Sequence, residues 1–136
     1  MATAICNLVV DALDAGSPPG NIIIYTGTMP THCNDAATTE VATCVLNSTA
    51  YGAAAYVGGT HTSDAELTAT ATDPHATGNA AAVTYFRACN AAGTAVFQGT
   101  CSATAGDDLV LNAAIIVAAS EVNITSLIVS IPIDQA

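Results

Sequence analysis

The side chains that could do chemistry are few and scattered. His61-Thr-Ser-Asp64, taken with Asp73 and His75, holds imidazole, hydroxyl and carboxylate groups, the ingredients of a hydrolytic site. Their context is poor for catalysis: no Gly-x-Ser-x-Gly elbow presents the serine, and all of them fall in stretches that read as loops. Asp64 with Glu66, and Asp107 with Asp108, offer oxygen ligands of the kind calcium takes. Neither pair follows a calcium-loop pattern, and adjacent acids at a strand entrance read as a solvated turn. The sequence therefore assigns no catalytic residue, cofactor ligand or metal ligand, and the chain is expected not to be an enzyme.

The five cysteines, Cys6, Cys33, Cys44, Cys89 and Cys101, contain no C-x-x-C pair, and His32 beside Cys33 lacks a second ligand pair at zinc spacing. They read as small buried core filler or as cross-links. If a hairpin joins 82–89 to 95–101, Cys89 falls opposite Ala95, and Cys101 lies about six residues, or ~20 Å, farther along at strand rise. A disulfide needs α-carbons within ~7 Å, so these two cannot pair with each other. An odd count leaves a thiol free or paired between chains. Cys6, on a terminal helix, and Cys33 and Cys44, flanking a loop, are the candidates for an inter-chain disulfide formed outside a reducing compartment.

The elements that must position these groups are mostly strands. Thr3 to Asp14 places Ile5, Leu8, Val9, Ala12 and Leu13 at three- and four-residue spacing, with Thr3 as N-cap, and predicts a short helix within 1–16 whose stripe covers the domain's own sheet. Gly16 closes it, and Ser17-Pro-Pro-Gly20 prevents its continuation. Strands are expected across 21–136, at Asn21–Thr26, Glu40–Leu46 and Glu66–Thr72, with a long irregular loop over Asn47–Asp64. Asn90-Ala-Ala-Gly-Thr94 joins two alternating runs, Ala82–Cys89 and Ala95–Cys101, and predicts a β-hairpin. Phe86 and Ala88 then share a face with Ala82 and Thr84; Val83, Tyr85, Arg87 and Cys89 share the other. Phe86 is assigned to the core, and Arg87 outward or to an ion pair with an acidic neighbour.

Near the end, Leu109 and Leu111 predict a strand and Ile115–Val117 a short buried piece. In the closing run Val122 and Ile124 set one phase, whereas Leu127, Val129 and Ile131 set the opposite one. A β-bulge near Thr125-Ser126 would reconcile them. Ile128 is then apolar on the outward face, a candidate subunit contact. Short strands separated by Gly, Pro and Asn turns, without amphipathic helices between them, predict one domain over 1–136, an antiparallel β-sandwich or jelly roll with a short N-terminal helix.

Composition constrains partners. Hydrophobic residues make up 51% of the chain, but much of that is alanine and aromatics contribute only 4%, so the core is thin and oligomerisation, as a dimer or trimer, is expected to supplement it. One basic residue, Arg87, faces eleven carboxylates for a net charge of −10, which argues against nucleic acid and against anionic membrane surfaces. A membrane span needs ~20 consecutive apolar residues, and Ala113–Ala119 falls far short. Asp11 and Asp14 interrupt the first apolar run before a secretory core could form.

The hairpin segment Ala81-Ala-Val-Thr-Tyr-Phe-Arg-Ala-Cys-Asn-Ala-Ala-Gly-Thr94, with Phe97-Gln-Gly-Thr100, Ile23-Ile-Tyr-Thr-Gly-Thr-Met-Pro30 and Leu109 to Ile131, resembles a family of small bacteriophage virion structural proteins. The resemblance spans most of the chain from Ile23 onward, with gaps in the glycine-rich middle. It implies a non-enzymatic virion component assembled in the host bacterial cytoplasm, with no catalytic residues to carry over. On that footing the Asn47-Ser-Thr49 and Asn123-Ile-Thr125 sequons would not meet the glycosylation machinery. The first expectation is a capsid decoration or cement protein on the outer surface of the head, with the major capsid protein as partner. The alternatives are a tail or neck component, such as a fibre-attachment or tip protein, and a glycan-binding adhesion module using Tyr51 and Tyr56.

Overall fold

The structure, a computed structural model, describes residues 1–15, 19–47, 50–58, 62–68 and 70–132. The fold is mainly β with one N-terminal helix, as expected. Helix α1 (Ala2–Asp14) precedes β1 (Asn21–Thr26), β2 (Thr39–Val45), β3 (Ala55–Val57), β4 (Thr62–Glu66), β5 (Ala71–Asp73), β6 (Val83–Cys89), β7 (Ala95–Ser102), β8 (Leu109–Val110), β9 (Val122–Ile124) and β10 (Ile128–Pro132). Seven strands form one sheet in the order β8-β7-β6-β1-β2-β5-β9, and three form a second in the order β10-β4-β3. All pairs are antiparallel except the short β7–β8 pair. One core cluster draws residues from α1 and both sheets, a sandwich-like arrangement, and the seven-plus-three division departs from an eight-stranded jelly roll.

Helix α1 lies against β4 and β10, its own domain's sheet. Its buried stripe is Cys6, Val10 and Leu13, however, and Ile5 and Leu8 are exposed, so the covered face is turned from the one expected. Thr3 does not cap it: Met1 is the N-cap without a side-chain bond, and the Thr3 hydroxyl instead shares a 2.7 Å hydrogen bond with Ser63 of β4. At the other end Asp14 accepts from the backbone N–H groups of Ala50 (3.0 Å) and Tyr51 (3.1 Å), tying the last turn to the segment before β3. Gly16, Ser17 and Pro18 lie outside the described residues. Gly20 is required by close approach, since a Cβ there would sit 2.0 Å from the Cys89 carbonyl oxygen.

The β6–β7 hairpin forms as read, with Cys89 opposite Ala95. Three expectations are overturned. The 47–64 stretch is not an irregular loop: β3 and β4 pair there, with Tyr51 bridged to Leu67. The large side chains here, Tyr51, Tyr56 and Val57, do not alternate, and β4 alternates only Thr, Ser, Asp, Ala and Glu, so no strand pattern stands out. Nor is Glu66–Thr72 one strand, because β4 ends at Glu66 and β5 begins at Ala71 in the other sheet. The phase conflict in the closing run is real but is not relieved by a bulge: β9 belongs to the seven-stranded sheet and β10 to the three-stranded one, so the chain changes sheets across 125–127. A register shift occurs instead where Tyr25 pairs with Tyr85 but Thr26 with Val83, which moves Val83 into the core cluster with Phe86 and leaves Thr84 exposed. Of Ile115–Val117 only Ile116 is buried.

Candidate functional site

The hydrolytic ingredients do not assemble. Ser63 and Asp64 lie on β4, not in a loop, and Ser63 is fully buried against Thr3. Asp73, on β5 in the other sheet, accepts from the backbone N–H groups of Thr43 (2.8 Å) and His75 (3.0 Å), a structural role; His61 lies outside the described residues. Asp108 accepts from Thr100 N (2.8 Å) and Oγ1 (3.0 Å), and Asp107 from the Ser102 hydroxyl, so this acidic pair pins the β7–β8 connection. Among the described residues no three metal-ligating side chains come together, and no helix is long and apolar enough to cross a membrane.

All five cysteines are free. Cys6 and Cys44, expected to reach a neighbouring chain, are fully buried instead, Cys6 against the Val129 carbonyl and Cys44, near the end of β2, against the Val122 carbonyl. An inter-chain bond at either would require opening the core. Burial pushes the Cys44 and Cys101 thiols up to about 12, with Asp73 and Asp107 adding to it respectively. Cys33 is the partly exposed thiol of the set. Ile128 is half exposed, as its outward assignment required. Tyr51, expected to serve sugar stacking, is buried with Tyr25 and Tyr85, leaving only Tyr56 exposed.

The unusual chemistry lies where none was expected, on the outer face of the large sheet. Ile23, Tyr25, Tyr85, Arg87 and Cys89 share this face, because Ile23 pairs with Arg87 and Tyr25 with Tyr85 while Ile22, Ile24, Phe86 and Ala88 fill the core opposite. The rings of Tyr25 and Tyr85 stack, 4.9 Å apart and 12° from parallel, and the Arg87 guanidinium carbon stands 5.9 Å from each ring centroid. Over them folds the β1–β2 connection, residues 27–38. Arg87 Nη1 donates to the Asp35 carbonyl (2.9 Å) and Nε to Gln98 Oε1 (3.2 Å), while Gln98 Nε2 donates to the Pro30 carbonyl (2.6 Å). The Tyr85 hydroxyl accepts from Thr38 N (3.0 Å) and lies 2.9 Å from Thr38 Oγ1; since that oxygen donates to the Thr26 carbonyl, Tyr85 is the donor between them.

Arg87 is therefore only 6% exposed, not outward, and its acceptors are an amide and a backbone carbonyl, not a carboxylate in an ion pair. Its Nη2 is buried with no hydrogen-bond partner. Leaving a buried donor unpaired costs about 1–3 kcal/mol, more when the group is charged. Beside it lies a cavity of about 240 Å³ lined by Arg87, Tyr25, Cys33, Asn34, Cys89 and the 93–95 turn. Burial pushes Tyr25 up to about 12, with Cys89 and Glu40 contributing and Arg87 opposing. Cys89 is likewise raised by burial and partly drawn back by Arg87. A larger concavity, about 650 Å³ along Leu109–Ser126, offers Glu121 as its lone titratable group.

Residues far apart in the chain, Tyr25 and Pro30, Tyr85 and Arg87, and Gln98, are brought by the fold to this one place. No family model matches the chain, and neither a curated protein nor a solved structure shows significant similarity to it.

Proposed function

We propose that this chain is a non-enzymatic structural protein of a bacteriophage virion, a decoration or cement protein on the outer surface of the head that contacts the major capsid protein and self-associates as a dimer or trimer. The virion assignment rests on the likeness of the Ile23–Pro30, Ala81–Thr94 and Leu109–Ile131 segments to that family. The observation that supports assembly is on α1. Met1, Ile5 and Leu8 recur at helical spacing on the face opposite Cys6, Val10 and Leu13, and all three are exposed, as is Ile128. Apolar groups held in this way on a small domain favour burial against a partner. The acidic charge limits non-specific adhesion at high surface density.

Quantitative mass spectrometry of purified virions tests the location. Copies on the order of hundreds per particle, as expected for a symmetric shell, support the head; a few copies, matching tail symmetry, move the protein to the tail or neck, and absence from particles overturns the reading. Leu8→Glu and Ile128→Ala should each change folding stability by no more than about 0.5 kcal/mol, as exposed substitutions do, yet lower the oligomer mass seen by light scattering. Retention of the oligomer in both variants would remove these residues from the contact.

A further inference from the structure

The outer-face cavity joins four observations that a merely structural arginine does not need. Arg87 is the chain's single basic residue. It is more than nine-tenths buried, its Nη2 has no acceptor, and it lines a void far larger than one water requires. We propose that this cavity binds a carboxylate group, held by the unsatisfied edge of the Arg87 guanidinium. With Nε and Nη1 committed to Gln98 and Asp35, Nη2 is the guanidinium nitrogen left to make a charge-assisted hydrogen bond to a carboxylate oxygen. Tyr25 and Tyr85 each lie 5.9 Å from the guanidinium carbon, and Asn34 lines the same cavity. Nη2 is closed from solvent in this form, so a carboxylate in the cavity engages it only once side chains of the lining shift. The carboxylate could belong to a free small molecule or to a Glu or Asp side chain of a partner; the recognition chemistry is the same.

The single arginine makes the test direct, because uniform ¹⁵N labelling of the full chain yields one arginine Nε–Hε resonance alongside the backbone amides. Sodium acetate and N-acetylglutamate, titrated at constant ionic strength against chloride and inorganic phosphate, should produce a saturable shift of that resonance and of the 93–95 amides. A terminally blocked peptide with one internal Glu separates the sources: binding of it indicates a protein side chain, binding of small carboxylates alone a free ligand. Ala95→Leu fills the cavity while keeping Arg87, and should weaken binding roughly tenfold or more, the effect of losing a charge-assisted bond. Its unliganded Nε–Hε position should be retained, which shows that the fold survives. Arg87→Lys, which keeps charge and loses the fork, should weaken binding similarly. No saturable shift, an equal response to phosphate or chloride, or unchanged affinity in Ala95→Leu would overturn the proposal.

Discussion

The two faces of β1 and β6 are both buried, by different means. On the inner face Ile22, Ile24, Phe86 and Ala88 meet α1 and the other strands in the main core cluster. On the outer face Tyr25, Tyr85, Arg87 and Cys89 are just as inaccessible, yet they stand apart from that cluster and are covered by one connection, 27–38, held through hydrogen bonds to carbonyls and hydroxyls. The inner face is stabilised by apolar area and shape, the outer by directional bonds that satisfy most, but not all, of a buried cation. The first kind of burial is robust and chemically inert. The second leaves unused donor capacity, which is what a binding site requires.

The sharpest way to separate the faces is by truncation. Ile24→Ala removes a fully buried side chain of the inner face and should cost about 2–5 kcal/mol, measured by denaturant unfolding. The loss should be global, lowering hydrogen-exchange protection in every strand of the large sheet. Arg87→Ala should cost less, about 1–3 kcal/mol, because it strips donors from Gln98 and the Asp35 carbonyl but also removes an incompletely paired charge. Its exchange signature should be local, confined to 27–38 and the 93–95 turn. A global loss in Arg87→Ala equal to that of Ile24→Ala would abolish the distinction. Tyr85→Phe keeps the stacked ring and deletes only the hydroxyl that bonds Thr38, so about 1 kcal/mol is expected, with faster exchange at the Thr38 amide.

The same contrast explains what the sequence disclosed. Features written in contiguous residues were legible: the Asn90–Thr94 turn set the Cys89–Ala95 register, and the isoleucine run placed β1 at Asn21–Thr26. Phe86 could be assigned to the core because its inner-face neighbours are apolar by type. The closing run announced a phase change, but a bulge and a switch between sheets leave the same trace in one strand's pattern, and only pairing partners distinguish them. Helix α1 carries apolar residues on both sides, so periodicity alone did not decide which stripe faced inward. The Arg87 site was the least legible. One of its acceptors is a backbone carbonyl 52 positions away, which any residue type supplies, and the covering connection is polar and reads as exposed. The available signal was the phase shared by Ile23 and Tyr25 with Tyr85 and Arg87, two aromatics and a lone cation on a face assumed to meet water.

The smallest expected effects, and the most discriminating between the faces, concern the thiols. Cys44 and Cys101 are buried in the core cluster and pushed up to about 12, whereas Cys33, at the outer-face cavity, is partly exposed. Brief iodoacetamide treatment of native protein at mildly alkaline pH should therefore modify Cys33 alone, and all five cysteines should react once the chain is denatured. A raised folded-state pKa means that the fold favours the protonated thiol. That contribution is fully present below the ordinary value of 9.0 and is lost as pH rises from there through about 12. Cys44→Ala should accordingly flatten the alkaline decline of stability. Any disulfide-linked dimer on non-reducing gels should disappear in Cys33→Ala and persist in Cys44→Ala. Equal labelling of Cys33 and Cys44 in the native protein would show that the packed inner face opens readily enough to leave a buried thiol no better protected than a partly exposed one.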